Sequence, residues 1–314
     1  MSNNEIQRNF IIGDEWNYFK IYTGFKTADA ILTGALYPLA NSLLSNQIID
    51  KWFFLRYADP KFHLRVRFHV SNPNQTAAVV MNFNQTIKKH LHENLVWKVQ
   101  ADTYNRELER YGADTMELSE TLFWYDSEMI CKVIALDKVK QDENLRWLLG
   151  LKMIDVLLDD FGFSLAEKCS LLNTLQDNFG KEFGVNAEYR RQFGQKYRNE
   201  KAKIEKILDK TTEQDEEYTA LFHPIFEKSK ASKPAIEEIQ SKITTDSNPT
   251  VTNLLSSYIH MMLNRLFRTQ QRTHELVLYD YLFRYYNSQQ ARQKKNADDA
   301  DDTDLRGLNF KNRP

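Results

Sequence analysis

Residues 51–70 read KWFFLRYADPKFHLRVRFHV, two apolar and aromatic runs on either side of the turn pair Asp59 and Pro60. The first run reads as an aromatic and apolar strand and the second as an alternating one, so the segment predicts an antiparallel pair at 51–57 and 62–70. In the second run the alternation places His63, Arg65, Arg67 and His69 on one face and Leu64, Val66, Phe68 and Val70 on the other. One face is expected to be core and the other cationic. Arginine rather than lysine at both central positions favours recognition of carboxylates, because the planar guanidinium binds them through two parallel bonds and keeps its charge when desolvated.

Outward from this pair, 15–22 alternates Trp16, Tyr18, Lys20 and Tyr22 against Asn17, Phe19 and Ile21, which predicts a further strand. Thr27 reads as the N-cap of a helix over 28–44, Asn72 and Pro73 start another over 72–95, and a short strand follows at 96–101. Helical spacing covers 117–136, 143–160, 165–183, 187–208, 251–266 and 273–286. Residues 198–250 are strongly charged, are punctuated by Pro224, Pro234 and Pro249, and are expected at the surface. From Ser288 the polar stretch QQARQKKNADDADDTD is expected to be a solvated, disordered tail. The fold class is therefore α+β: an antiparallel sheet in the N-terminal third packed against a largely helical remainder. No linker divides it, so 1–287 is expected to form one domain and 288–314 the tail.

The chain has 314 residues, 42% hydrophobic and 27% charged, with 42 basic against 43 acidic side chains. A formal charge of -1 supplies no global field toward nucleic acid or an anionic membrane. The start, MSNNEIQRNF, has no secretory pattern and no apolar run is long enough to span a bilayer, which predicts a cytoplasmic protein without membrane insertion. Cys131 and Cys169 sit in apolar helical patterns and read as buried fillers. A phosphate-binding glycine loop, a nucleophile elbow and an H-E-x-x-H helix are all missing from the sequence. His90 and His92, two apart on a helix, point to different faces. No metal and no nucleotide cofactor are expected.

Two other segments carry candidate chemistry. Residues 104–112, YNRELERYG, mix carboxylates, arginines and tyrosines ahead of a turn glycine. The helix at 251–266 is apolar except for a stripe of Asn253, Ser256 or Ser257, His260 and Asn264. Such a stripe faces water or a polar cavity, and Arg265, off the stripe, is expected to pair with an acid.

Taken in order, WFFLRYADPKFHLRVRF at 52–68, Y-x-x-E-x-E-R-Y-G at 104–112 and H-x-x-x-N-R-L-F at 260–267 resemble the elimination domain of lanthipeptide dehydratases, also called the thiopeptide-type bacteriocin biosynthesis domain. MELSETLF at 116–123 and FGFSLAEKCSLLNTLQDNFGKEFG at 161–184 support the resemblance, which runs from about Trp16 to Phe267. It implies a lyase that removes glutamate from glutamylated Ser and Thr of a ribosomally made precursor, leaving dehydroalanine or dehydrobutyrine. It also implies that Arg65, Arg67, Glu107, Arg110 and His260 carry the reaction. The implied partners are the leader-core precursor peptide and a separate tRNA-dependent glutamylating protein, with no tRNA bound by this chain. A free-standing member, as in split dehydratases, is the expected form, and a homodimer is compatible with it. Arg106, Ala113 and Arg268 depart from the family pattern, where proline, a second glycine and glycine are common. Two other readings compete: a thiopeptide pyridine synthase that joins two dehydroalanines, and a non-catalytic subunit that binds the precursor.

Overall fold

The computed structural model describes residues 6–142, 144–244 and 247–309. Six strands are formed by Asn9–Phe10 (β1), Trp16–Thr23 (β2), Lys51–Tyr57 (β3), His63–His69 (β4), Val96–Asp102 (β5) and Tyr104–Asn105 (β6). Twelve α-helices span Phe25–Ile31 (α1), Tyr37–Ser45 (α2), Thr76–His92 (α3), Leu108–Tyr111 (α4), Met116–Ala135 (α5), Asp137–Gln141 (α6), Leu145–Asp160 (α7), Leu165–Glu182 (α8), Ala187–Leu208 (α9), Glu216–Lys242 (α10), Val251–Leu266 (α11) and Gln271–Asn309 (α12). The class is α+β, with the strands in the N-terminal third.

β3 and β4 form the expected hairpin, in register from Lys51 opposite His69 to Tyr57 opposite His63. β2 lies antiparallel on the far side of β4 and β5 follows it, giving the order β3-β4-β2-β5. The apolar face buries Leu64, Val66, Phe68 and Phe19 under the 25–45 helical segment and α3, where the Phe19 and Phe83 rings stack at 4.2 Å. Val66 is fully buried in this layer. Val66→Asp would place an unpaired carboxylate there, and a loss of several kcal/mol is expected, read as a fall in the urea midpoint.

The outer edge of β3 would expose unpaired backbone groups. Side chains from two helices close it. Ser127 of α5 accepts from the Phe54 N–H at 3.1 Å, and Asn264 of α11 both accepts from the Arg56 N–H and donates to its carbonyl, each at 2.9 Å.

Several elements differ from the sequence expectations. Helix α1 starts after Gly24, and Thr27 lies inside it rather than capping it. A π-helical turn at Leu32–Leu36 separates α1 from α2; Pro38 has no N–H for the Gly34 carbonyl, and the ladder widens there. The charged 198–250 segment is not simply surface. α10 runs through Pro224 and Pro234 and buries Leu221, Phe222, Ile225, Ile236 and Ile239. Packing against α5 and α7 outweighs the lost backbone bonds. The last helix passes Tyr286 and continues to Asn309, through most of the stretch read from sequence as a tail. Gln290 donates to the Leu165 carbonyl at 3.3 Å and Arg292 pairs with Glu205 at 2.8 Å. Residues 310–314, the end of that tail, lie outside the described residues. Cys131 and Cys169 are buried free thiols. No helix among the described residues is long and apolar enough to cross a membrane.

Candidate functional site

The face of β4 expected to be cationic carries its arginines, but it is not a solvated face. Arg67 is only 6% exposed. Its guanidinium carbon sits 4.3 Å from the ring centre of Tyr18, 4.6 Å from Tyr104 and 5.0 Å from Phe53. These positions follow from the register, since Tyr18 and Phe53 are the cross-strand partners of Arg67. The ring faces attract the cation, worth about 2 kcal/mol or more when desolvated. Nε and Nη1 of Arg67 are buried with no hydrogen-bond acceptor, and no carboxylate among the described residues pairs with it. Burial pushes its pKa down from the usual arginine range. The geometry is a desolvated cation with spare donors, suited to an anion.

Arg65, on the same face, lies 3.5 Å over the Tyr57 ring and donates from Nε to His63 Nε2 at 3.2 Å. His63 donates through Nδ1 to the Lys61 carbonyl at 2.8 Å. Burial pushes its pKa down and the nearby Arg65 charge adds to the shift, so the ring is a neutral acceptor for Arg65.

Segment 104–112 splits into a buried part and an exposed part. The Tyr104 hydroxyl donates to Glu120 Oε1 at 2.9 Å, and Arg106 binds both Glu120 oxygens at 2.8 and 2.7 Å. Arg106 also donates to the Gln7 carbonyl at 3.1 Å. Arg106 therefore ties the N-terminal segment to α5 and holds the Tyr104 wall of the Arg67 box. Glu107 and Arg110 pair with each other at 3.2 Å, with side chains 58% and 45% exposed. A pair so exposed contributes little to stability. Gly112 has φ of +72°, and a Cβ there would approach Thr115 Oγ1 to 3.1 Å and Pro249 Cδ to 3.2 Å, so only glycine fits.

α4 packs on α11, where the Tyr111 and Tyr258 rings stack at 5.9 Å. Beyond its first two residues, the part of α11 not buried is the polar stripe: Asn253 is exposed and Ser256, Ser257, His260 and Asn264 are half-buried. Asn264 uses its place in the stripe to cap β3. His260 directs Nδ1 at both oxygens of Glu275, at 2.9 and 3.0 Å. Arg265 finds the expected acid, 3.7 Å from Asp126, and burial pushes its pKa down to about 10. It is close enough to Arg67 for the two charges to repel.

The C-terminal end of α11 is fixed by a second cluster. Asp29 of α1 accepts from Arg56 Nη2 and Arg268 Nε, both at 2.6 Å, and from Arg146. Arg56 and Arg146 also donate to the carbonyls of Arg265 and Leu266, at 2.8 and 3.0 Å. Arg268 thus joins the cluster that anchors the histidine helix.

The structure brings Arg65 and Arg67 onto one face, and joins α4, which carries Arg110 and follows Glu107 at its N-cap, to the helix of His260 through Tyr111 and Tyr258. No direct bond links His260 to either strand arginine among the described residues. Tyr18, Glu120 and Glu275 lie outside the site residues expected from sequence, whereas Tyr104 opened the 104–112 segment. Tyr18 alone had a usable signal, its alternation in phase with the arginine face.

Comparison with known proteins gives a consistent set of relatives. The family described as lantibiotic biosynthesis dehydratase, C-terminal, matches residues 16–286. Subtilin biosynthesis protein SpaB of Bacillus subtilis is 28% identical over 272 residues, 84% of this chain and 25% of that protein. Nisin biosynthesis protein NisB of Lactococcus lactis subsp. lactis is 32% identical over 135 residues, 43% of this chain and 13% of that protein. The chain thus spans about a quarter or less of the curated relatives it matches. The fold is shared with the tRNA-dependent lantibiotic dehydratase MibB from Microbispora sp. 107891, at TM-score 0.70 and 21% identity over 89% of this chain and 29% of that chain.

Proposed function

The chain belongs to the lantibiotic biosynthesis dehydratase C-terminal family, and on that premise we propose that it eliminates glutamate from glutamylated Ser and Thr of a precursor peptide. The observation that carries the reading is the buried Arg67 guanidinium, with two donors unpartnered inside an aromatic box and Arg65 beside it. A leaving group with a carboxylate to be bound gives this arrangement a purpose.

In the reaction the Cα–H and Cβ–O bonds break, a Cα=Cβ double bond forms, and glutamate departs as an anion. Negative charge develops first on the enolate of the peptide carbonyl and then on the leaving oxygen. Arg67 and Arg65 bind and stabilise these anions, and each preorganised donor is worth on the order of a hundredfold or more in rate. His260 is the acid or base, a role worth about a hundred to ten-thousandfold. Arg110, partnered by Glu107, supplies a further cation near the helix junction. The precursor peptide is the substrate, and its glutamylation from charged tRNA is the work of a different active site. At a net charge of -1 this chain has no global field to hold tRNA.

Ring formation from two dehydroalanines is the competing activity. Purified protein should be offered a glutamylated precursor and, separately, a peptide bearing two dehydroalanines, and both products weighed by mass spectrometry. Loss of glutamic acid from the first and no change in the second is the expected result. Consumption of the second peptide with the first untouched would reverse the assignment.

A further inference from the structure

The sequence motifs contain His260 but say nothing of what holds its ring. Glu275 of α12 does. Its side chain is completely buried, whereas that of His260 is 29% exposed. Both carboxylate oxygens face Nδ1, at 2.9 and 3.0 Å. An ionised carboxylate only accepts hydrogen bonds, so Nδ1 must carry a proton. The other ring nitrogen, Nε2, makes no hydrogen bond among the described residues.

The carboxylate is itself fixed. Arg272 donates from Nη1 to Glu275 Oε2 at 3.3 Å, stacks 3.9 Å over the Phe179 ring, and pairs through Nη2 with Glu182. Rotation of Glu275 would break both the Arg272 and the His260 contacts. The ring therefore has one orientation and one neutral tautomer, and the nitrogen left for a ligand is Nε2.

We infer that Glu275 is the positioning residue of His260, holding Nδ1–H so that Nε2 is the atom that exchanges a proton with substrate. The inference rests on the elimination reading for the reaction served, but not for the tautomer fixed. If the neutral ring accepts the Cα proton, Nε2 gains it and Glu275 stabilises the imidazolium. The imidazolium then passes the Nε2 proton to the departing glutamate, and the ring returns to the Nδ1–H form. In both steps the Glu275 carboxylate faces Nδ1 and stabilises the protonated ring.

The test combines histidine nitrogen NMR with kinetics. Protein labelled with 15N in its histidines, with His260→Asn to assign the resonance, is examined at a pH where the ring is neutral. The wild type should show His260 protonated at Nδ1. Glu275→Gln keeps shape and volume but offers an amide that can donate as well as accept, so the single tautomer should be lost. With it kcat should fall by about a hundredfold or more while KM moves less than about threefold, as for a group that acts in the transition state. An Nε2–H tautomer in the wild type would overturn the inference. So would a folded Glu275→Gln protein with unchanged kcat. A wild type that holds Nδ1–H yet leaves glutamylated peptide intact would count against the elimination reading and support the orientation.

Discussion

Replacing Arg67 by methionine is expected to lower the rate of glutamate elimination by at least about a hundredfold, the contribution of one preorganised donor, while stability holds or rises. The two halves of this expectation have one cause. Arg67 lies among Tyr18, Phe53 and Tyr104 with Nε and Nη1 lacking acceptors, a burial that the ring faces only partly offset. Methionine is apolar, of similar length and adaptable in shape, so it fills the box without the desolvated charge. Exchanges of buried charge for apolar groups are often neutral or stabilising by about 1–4 kcal/mol. Arg67→Lys is the companion variant. It keeps the charge but loses the flat surface that the three rings contact and the fork that grips a carboxylate, so activity should remain low. Single-turnover rates and melting curves on the same preparations check both halves. A Met variant that melts early but retains full activity per folded molecule would make Arg67 structural.

Removing Asp29 should have the largest effect on stability. Its carboxylate pairs with Arg56, Arg146 and Arg268 at one buried point, joining α1, β3, α7 and the end of α11. Asp29→Ala leaves those arginines facing one another, and breaking a buried pair from one side costs about 3–5 kcal/mol. That is a large fraction of the roughly 5–15 kcal/mol by which a protein is stable. Burial alone would push the Asp29 carboxyl up, but Arg56 and Arg146 outweigh it and hold the pKa below its ordinary value. The carboxylate's contribution is therefore complete above the unfolded pKa of about 3.9 and is lost as pH falls through the lower folded value. Urea titrations from pH 7 downward should show the wild type and Asp29→Ala curves far apart at neutral pH and converging in acid. Activity of the variant should track its folded fraction, since the cluster anchors the helix of His260 without belonging to the chemistry.

The β3–β4 hairpin was legible because an aromatic and apolar run and an alternating run flank a turn, and the alternation of the second places Arg65 and Arg67 together. The expectation of a cationic face opposite the core was half right. What covers a strand face comes from elsewhere in the chain, and the Tyr104 wall over Arg67 is held by Glu120 of α5. Helix α10 was obscured because two prolines and many charges give the local pattern of a surface loop, whereas the stabilising contacts are with α5 and α7. His260 stood out as part of a polar stripe on an apolar helix. Its carboxylate did not, because one glutamate among the aromatic residues of α12 has no signature until the helices are packed.

The most direct test of the central claim is incubation of the purified protein with a glutamylated precursor peptide, without ATP or tRNA, followed by mass spectrometry over time. The wild type should release free glutamate and convert each glutamylated Ser or Thr to its dehydro form, and His260→Ala and Arg67→Met should leave the glutamyl ester in place. Glutamylated peptide that persists unchanged with folded wild-type protein, or that loses glutamate equally fast with both variants, would contradict the account.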